Sequence, residues 1–146
     1  FKPSHEGNII NELSLCDIDL AKTLVESEIC EFSCMQTNKT NTRSSDNAII
    51  NFKSKNQILV SITDSFCGSF ERFGIEVNAK SGVYFGDLIH YRLHQLTEDG
   101  QINLKIDAQM NELRAQYDAF YDLCQSGDSD ELSSVDDAIK IKELFA

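Results

Sequence analysis

The sequence predicts an α+β fold in which one helix precedes an antiparallel sheet of about five strands and two helices follow it. Two observations favour the sheet. Residues 83–96 alternate apolar and polar side chains, and residues 47–53 and 57–63 are β-branched runs of similar character. A third observation favours the helices. Residues 17–28 and 108–124 repeat apolar side chains every three or four positions, which is the period of an amphipathic helix.

The length and composition fit a single domain. A chain of 146 residues with 41% hydrophobic residues can bury a core of its own. Residues 1–14 are polar with scattered apolar side chains and contain the only proline, Pro3, so we expect a loosely held N-terminal arm. Residues 36–46 are rich in Asn, Thr and Ser and indicate a surface loop.

The first half of the chain contains a helix followed by three predicted strands. Asp17 or Asp19 is the expected cap of the helix at 17–28. Residues 29–35 form a short run that is typical of a strand. The two β-branched runs that follow are joined by three polar residues, 54–56, which indicates a hairpin.

The second half continues the sheet. Residues 73–79 alternate and lead through a turn into 83–96, which we interpret as one continuous strand at the centre of the sheet together with the two β-branched runs. The Asp99-Gly100 pair is a hairpin signal. Residues 101–106 alternate again, so we expect them to pair with 83–96.

Two helices are predicted after the last strand. Asp107 is the expected N-cap of the helix at 108–124. Ser133 or Ser134 opens the final helix, and the pair Ser133 and Asp136 resembles a capping box.

The charge balance is strongly acidic. Thirteen Lys and Arg residues face 24 Asp and Glu residues, which gives a net charge of −11. Such a surface disfavours nucleic acids and anionic lipid headgroups and attracts basic proteins. The alternative is that the charge serves only solubility. No apolar run approaches the roughly 20 residues that a membrane-spanning helix needs.

The cysteine content indicates an oxidising compartment. Five widely spaced cysteines are candidates for disulfides, and their odd number leaves at least one thiol over: Cys16, Cys30, Cys34, Cys67 and Cys124. The chain begins at Phe1 and not at Met, which favours export, with the bacterial periplasm as the expected location. The alternative is a cytoplasmic protein with five reduced thiols.

Two groups of polar residues are candidate binding sites. His90, Arg92 and His94 would share one face of the predicted strand, where they either contact a partner or form a solvated polar face. The second group is acidic and lies near the C-terminus, where it either neutralises a basic surface or supplies negative charge to a helix N-terminus: Asp128, Asp130, Glu131, Asp136 and Asp137. The sequence contains no hydrolase, zinc-protease or phosphate-loop motif.

Parts of the chain resemble a group of small exported bacterial proteins of uncertain role. The matching pieces are Phe32-Ser33-Cys34, residues 47–63, residues 82–93 and Leu123-Cys124. The chain departs from that group because no second cysteine follows Cys34 at the expected place. The resemblance implies export, and it would make the predicted helix at 108–124 partly strand.

These observations predict a non-enzymatic, acidic immunity or inhibitor protein that covers the active site of a basic toxin or hydrolase. We expect no cofactor, no metal and no nucleic-acid partner. One alternative is a small enzyme whose site is assembled from His90, His94 and a carboxylate. Another is a structural subunit of the cell envelope, which would self-associate.

Overall fold

The computed structural model describes residues 7–39, 44–106, 111–127 and 132–146. Within these residues seven strands form two antiparallel sheets, so the predicted α+β class is confirmed, although about five strands in one sheet were expected. In chain order the elements are a π-helical turn Ile10–Ser14, α1 Leu15–Val25, β1 Ile29–Thr37, β2 Asn47–Ser54, β3 Leu59–Ser65, β4 Gly74–Ala79, β5 Gly82–Asp87, β6 Arg92–Thr97, β7 Gly100–Leu104, α2 Glu112–Ser126 and α3 Val135–Glu143.

The chain divides into two compact units. The first unit consists of the described residues up to Ser69 together with Ser133–Ala146, and the second unit lies between them in the sequence. The first unit therefore contains β1 to β3 with α1 and α3, and the second contains β4 to β7 with α2. That the whole chain forms a single domain stays a prediction.

The first unit is built on the central strand β2. It pairs antiparallel with β1 on one side and β3 on the other. Its inward face carries Ala48, Ile50 and Phe52, which are 2%, 0% and 3% exposed, whereas the neighbouring Ile49 on the outer face is 42% exposed. Alternation along β2 thus follows the strand period predicted from the sequence. Isoleucines of the helical segments complete this core: Ile9, Ile10, Ile18 and Ile141.

The N-terminal segment differs from the prediction. Residues 9–14 were expected in a loosely held arm, but Ile9 and Ile10 are buried and the backbone N–H of Ile9 donates to the carbonyl oxygen of Ser45 at 3.1 Å. The reason is physical, because two adjacent isoleucines supply apolar surface that the sheet can bury. The helix predicted at 17–28 accordingly begins at Leu15, directly after the π-helical turn, and ends at Val25.

The sheet of the second unit is a four-stranded meander in the order β4, β5, β6, β7. The predicted continuous strand at 83–96 is wrong, because it is a hairpin of β5 and β6 with a tight turn at Leu88 to Tyr91. The Asp87 carboxylate stabilises this turn by accepting the backbone N–H groups of Ile89 and His90. The β-branched runs pair with each other in the other sheet, so the expected common centre does not form. The predicted pairing of residues 101–106 is confirmed for β7, which pairs with β6.

Both later helices begin with side-chain caps. Asn111 caps α2 by accepting the backbone N–H of Arg114 at 3.2 Å, and the predicted cap Asp107 lies outside the described residues. The capping box of α3 joins Ser134 to Asp137, one residue later than the predicted pair Ser133 and Asp136. Among the described residues, no helix has both the length and the apolar character required to cross a bilayer.

The core of the first unit can be tested with two adjacent isoleucines of β2. We expect Ile50→Ala to lower the free energy of unfolding by about 2–5 kcal/mol, because it opens a cavity beneath the helices. Ile49→Ala removes the same atoms from the exposed face and is expected to cost less than about 1 kcal/mol. Urea-induced unfolding followed by far-UV circular dichroism measures both values. Equal losses for the two variants would contradict the assigned faces of β2.

Two glycines with positive φ provide a matched test of the second sheet. Gly82 has φ +130° and a Cβ there would lie 2.2 Å from the carbonyl oxygen of Leu96, whereas Gly100 has φ +125° and open space around it. Both alanine variants strain the backbone, but only Gly82→Ala also forces β5 away from β6. We expect Gly82→Ala to cost about 1–2 kcal/mol more than Gly100→Ala. Tyrosine fluorescence during urea unfolding measures this difference, since all four tyrosines lie in the second unit.

Candidate functional site

An open cleft of about 530 Å³ lies in the first unit. This volume is within the usual range of small-molecule sites. The π-helical turn, the end of β1 and the last turn of α3 form its walls, through Asn8, Ile10, Asn11, Gln36, Ile139, Lys142, Glu143, Phe145 and Ala146. Among the described residues, the lining thus combines amide side chains, one cation and one carboxylate with apolar side chains. The ring of Phe145 is fixed there by an edge-on contact with Phe32, with ring centroids 5.0 Å apart.

The π-helical turn shapes one wall of this cleft. Its start is fixed by Asn8, whose side-chain oxygen accepts the N–H of Ile10 at 2.9 Å and whose carbonyl oxygen accepts from Asn11 and Glu12. The Glu12 side chain lies against Gly7 so closely that any Cβ at Gly7 would overlap it. Single π-helical turns joined to α-helices often occur at functional sites, which makes this wall a candidate site on geometric grounds.

A pair of carboxyl groups lies beneath the same helical segment. Asp64 of β3 is 5% exposed and accepts a hydrogen bond from the hydroxyl of Ser14, which is fully buried at the end of the π-helical turn. Asp17 lies in the first turn of α1, and interaction with Asp64 contributes to a raised pKa of its carboxyl group. Asp64 is aligned across the sheet with Ala48 and Gln36, so it lies about two strand spacings, or roughly 10 Å, from a residue of the cleft.

The electrostatics of this carboxyl pair are unusual. Burial, then the hydrogen bond and repulsion from Asp64, raise the pKa of Asp17 from 3.8 to about 7. Burial also raises the pKa of the Cys34 thiol, and the charge of Asp64 adds to that effect. Asp17 can therefore hold a proton near neutral pH, and its carboxyl group has the most strongly shifted pKa in the described part of the first unit.

The three residues of the predicted histidine and arginine face do not all lie on one strand. His90 lies in the β5–β6 turn, where its Nδ1 is 2.8 Å from Oδ2 of Asp87, and this hydrogen bond lowers the pKa of Asp87. Arg92 and His94 follow on β6, and the ring of His94 stacks on Phe85 with centroids 5.1 Å apart. His94 is thus engaged in packing, while His90 and Arg92 are exposed near the end of the hairpin. Their role as a binding site stays a prediction.

The structure describes only part of the predicted acidic cluster. Asp128, Asp130 and Glu131 lie outside the described residues. Asp136 and Asp137 lie in the first turn of α3, as the helix-charge alternative predicted. The Ser134 side chain donates to the Asp137 carboxylate at 2.6 Å and lowers its pKa, so Asp137 is occupied in capping its own helix.

The disulfide prediction is wrong. All five cysteines are free thiols, and four of them are exposed. Cys30 and Cys34 lie on the same strand, β1, where four residues span about 13 Å, and a disulfide needs Cα atoms within about 7 Å. Export of the protein stays a prediction without this support. In the ranges that the structure describes, no three His, Cys, Asp or Glu side chains converge as metal ligands would.

Comparisons with solved structures identify the fold. A UDP-N-acetylglucosamine 3-dehydrogenase from Acidithiobacillus ferrooxidans superposes on 99% of the chain with a TM-score of 0.84 and 16% identity. An oxidoreductase from Agrobacterium radiobacter in complex with NAD+, L-tartaric acid and magnesium superposes on 97% with a TM-score of 0.74 and 16% identity. A probable dehydrogenase from Thermotoga maritima superposes on 97% with a TM-score of 0.67 and 19% identity. The chain has a fold found in oxidoreductases.

The chain spans about half the length of these structures, namely 48%, 46% and 46% of them in the same order. No protein-family model matches the chain, and no curated protein is significantly similar to it in sequence. The resemblance to small exported bacterial proteins stays a prediction.

The likeness to oxidoreductases corrects the functional predictions. A fold shared with dehydrogenases over nearly the whole chain contradicts an immunity or inhibitor protein, and with it the expected basic toxin or hydrolase as partner. Some of the acidic residues that suggested such a partner are buried or hydrogen-bonded within the protein itself. Asp64 and Asp46 are buried, and Asp87 and Asp137 accept local hydrogen bonds.

Sequence reasoning missed the cleft and the carboxyl pair. Asp17 was expected only as a helix cap, and neither Asp64 nor Ser14 was singled out. One signal was available, since Asp64 continues the alternation of Ile58, Val60 and Ile62 onto the apolar face of its strand. A charged residue in that position indicates a buried carboxylate that requires a partner.

The carboxyl pair predicts a dependence of stability on pH. The pKa of Asp17 in the folded protein lies above its ordinary value. Its contribution to the free energy of unfolding is therefore fully present below about pH 4 and is lost as the pH rises to about 7. The side chain introduced by Asp17→Asn is neutral in both the folded and the unfolded chain, so we expect this variant to gain roughly 1 kcal/mol at pH 8 and clearly less at pH 5, where only part of the wild-type loss has accrued. This gain is below the full conversion of the pKa shift because Asp17 is only half-buried.

Urea unfolding at both pH values measures this gain. Asp136→Asn removes the same charge from an exposed position and serves as the control. A gain for Asp17→Asn that is the same at pH 5 and pH 8 would contradict the assigned protonation.

Proposed function

We propose that this chain is the substrate-binding half of an NAD-dependent dehydrogenase that oxidises a hydroxyl group of a nucleotide sugar. The observation that carries the proposal is the superposition of 99% of the chain on 48% of a UDP-N-acetylglucosamine 3-dehydrogenase. A fold alone does not determine a substrate, so the assignment depends on the cleft as well.

The residues described here do not fit a dinucleotide. Such sites require a parallel βαβ unit with a G-x-G-x-x-G turn. The sequence contains no two glycines separated by one residue, and every strand pair in the described residues is antiparallel. We therefore assign to this chain the binding of the second substrate, and we assign no NAD contact to its described residues.

The cleft has the chemistry that a sugar nucleotide requires. Asn11 and Gln36 offer amide donors and acceptors for hydroxyl groups, and Ile10 and Phe145 offer apolar surface for the carbon face of a sugar ring. Lys142 is the one cationic side chain among the described residues that line the cleft, and it can pair with a phosphate oxygen. Because the chain as a whole carries a charge of −11, we expect this local cation to be necessary for an anionic ligand.

Amide NMR titrations of the ¹⁵N-labelled chain test this function. We expect UDP-N-acetylglucosamine to shift the resonances of Asn11, Gln36 and Lys142, and NAD+ to shift none of them. Gln36→Ala should raise the Kd for the sugar nucleotide about five- to tenfold through loss of a hydrogen bond. Gln101→Ala, an exposed glutamine of the second unit, should leave the Kd unchanged.

Three outcomes would contradict the proposal. NAD+ binding to the chain would place the cofactor here, and sugar-nucleotide shifts confined to residues outside the cleft would move the site. Binding of L-tartrate in the cleft without binding of UDP-N-acetylglucosamine would replace the nucleotide sugar by a hydroxy acid as substrate class.

A further inference from the structure

One side-chain amide that lines the cleft has a fixed orientation. The side-chain oxygen of Asn8 accepts the backbone N–H of Ile10 at 2.9 Å, and Asn8 is one of the lining residues. An N–H group can pair only with the oxygen of an amide, so the oxygen faces Ile10 and the Nδ2 group lies on the other side. Among the described residues, nothing accepts a hydrogen bond from Nδ2. The part of Asn8 that remains for a ligand in the cleft is therefore a hydrogen-bond donor.

The backbone on both sides of this donor is held in place. The carbonyl oxygen of Asn8 accepts the N–H groups of Asn11 and Glu12 at 3.0 and 3.2 Å. Directly before it in the chain, the carbonyl oxygen of Gly7 accepts from the hydroxyl of Ser44 at 2.9 Å. A donor on a segment that is already ordered loses little conformational freedom when it meets a ligand, which favours selective binding.

A group that only donates selects for a ligand atom that only accepts. A carbonyl oxygen meets this requirement, because it carries no proton. A hydroxyl group at the same place can accept from Nδ2, but its own proton then needs another acceptor, and an unpaired donor in a desolvated site costs about 1–3 kcal/mol. A phosphate oxygen pairs more strongly with a cation than with a neutral amide, and Lys142 is available for it in the same cleft.

We propose that the Nδ2 group of Asn8 selects N-acetylated amino sugars by donating to the carbonyl oxygen of their acetamido group, against sugars with a hydroxyl group at that position. This inference rests on the proposed function, in which the sugar ring of a nucleotide sugar lies against Ile10 and Phe145. The N–H of Ile10 is the group that fixes the Asn8 amide, so the donor lies beside the place of the ring. The acetyl methyl group finds apolar surface in the same cleft, to which Ile139 contributes.

Titration of the intact chain with three nucleotides tests this selection. The Kd values of UDP-N-acetylglucosamine, UDP-glucose and UDP are measured by isothermal titration calorimetry at pH 7. We expect UDP-N-acetylglucosamine to bind about three- to tenfold more tightly than UDP-glucose, which is the usual contribution of one hydrogen bond. In ¹⁵N NMR spectra, the side-chain amide signals of Asn8 should shift with UDP-N-acetylglucosamine and much less with the other two. The uracil carbonyl groups are common to all three ligands, so their effect cancels in this comparison.

The variant Asn8→Asp separates the donor from the turn. Its carboxylate still accepts the N–H of Ile10 but cannot donate, so we expect the preference over UDP-glucose to fall to about one while the far-UV circular dichroism stays unchanged. The matched control is Asn11→Asp, which adds the same charge at another amide of the cleft. This control should weaken the binding of both nucleotide sugars, because a carboxylate repels their phosphates, and it should keep the wild-type preference.

Two results overturn this inference and leave the proposed function standing. One is an equal affinity of the wild-type chain for the two nucleotide sugars, and the other is a preference that Asn8→Asp keeps. Absence of any nucleotide binding to the cleft contradicts the proposed function and this inference together. If Asn8→Asp does not fold, the wild-type affinities and the side-chain signals of Asn8 decide the question, because signals that move equally with all three ligands also overturn the inference.

Discussion

Burial of one face of β2 beneath the helical segments is the constraint on which the first unit depends. Ile50 is completely buried at the centre of this face, and Ile9, Ile18 and Ile141 cover it from the π-helical turn, α1 and α3. Because side chains aligned across a sheet share a face, this packing also buries Asp64, which is aligned with Ala48. A carboxyl group in that position needs a hydrogen-bond partner, and the Ser14 hydroxyl provides one. The buried Asp64 in turn helps to raise the pKa of Asp17, so this raised pKa is a consequence of how the core packs.

The same packing positions the cleft. Gln36 is aligned with Ala48 on the other side of β2, at the edge where the π-helical turn and the end of α3 approach the sheet. The cleft and the carboxyl pair are therefore two ends of one row of residues across the sheet. The π-helical turn contacts both ends of this row, since Ile10 and Asn11 line the cleft and Ser14 donates to Asp64.

The sequence predicted the class of the fold and most strands, but it did not predict how the strands are distributed. Runs of β-branched residues identified β2 and β3. The alternating pattern at 83–96 wrongly predicted one continuous strand. Asp87 and Arg92 are paired across the turn, so the alternation continues from β5 into β6. The candidate site could not be predicted, since Asp17 and Asp64 are far apart in sequence and come together only through the packing of α1 on β3. The net charge misled the functional prediction, because several carboxylates serve the fold itself.

The central claim is that the cleft beside the π-helical turn binds the hydroxyl-bearing substrate of a dehydrogenase. A crystal structure of the chain grown with UDP-N-acetylglucosamine tests it most directly. We expect the sugar ring to lie between Ile10 and Phe145, with its hydroxyl groups hydrogen-bonded to Asn11 or Gln36 and a phosphate oxygen near Lys142. A ligand bound elsewhere on the chain, or an empty cleft at a ligand concentration that saturates the protein in solution, would contradict it.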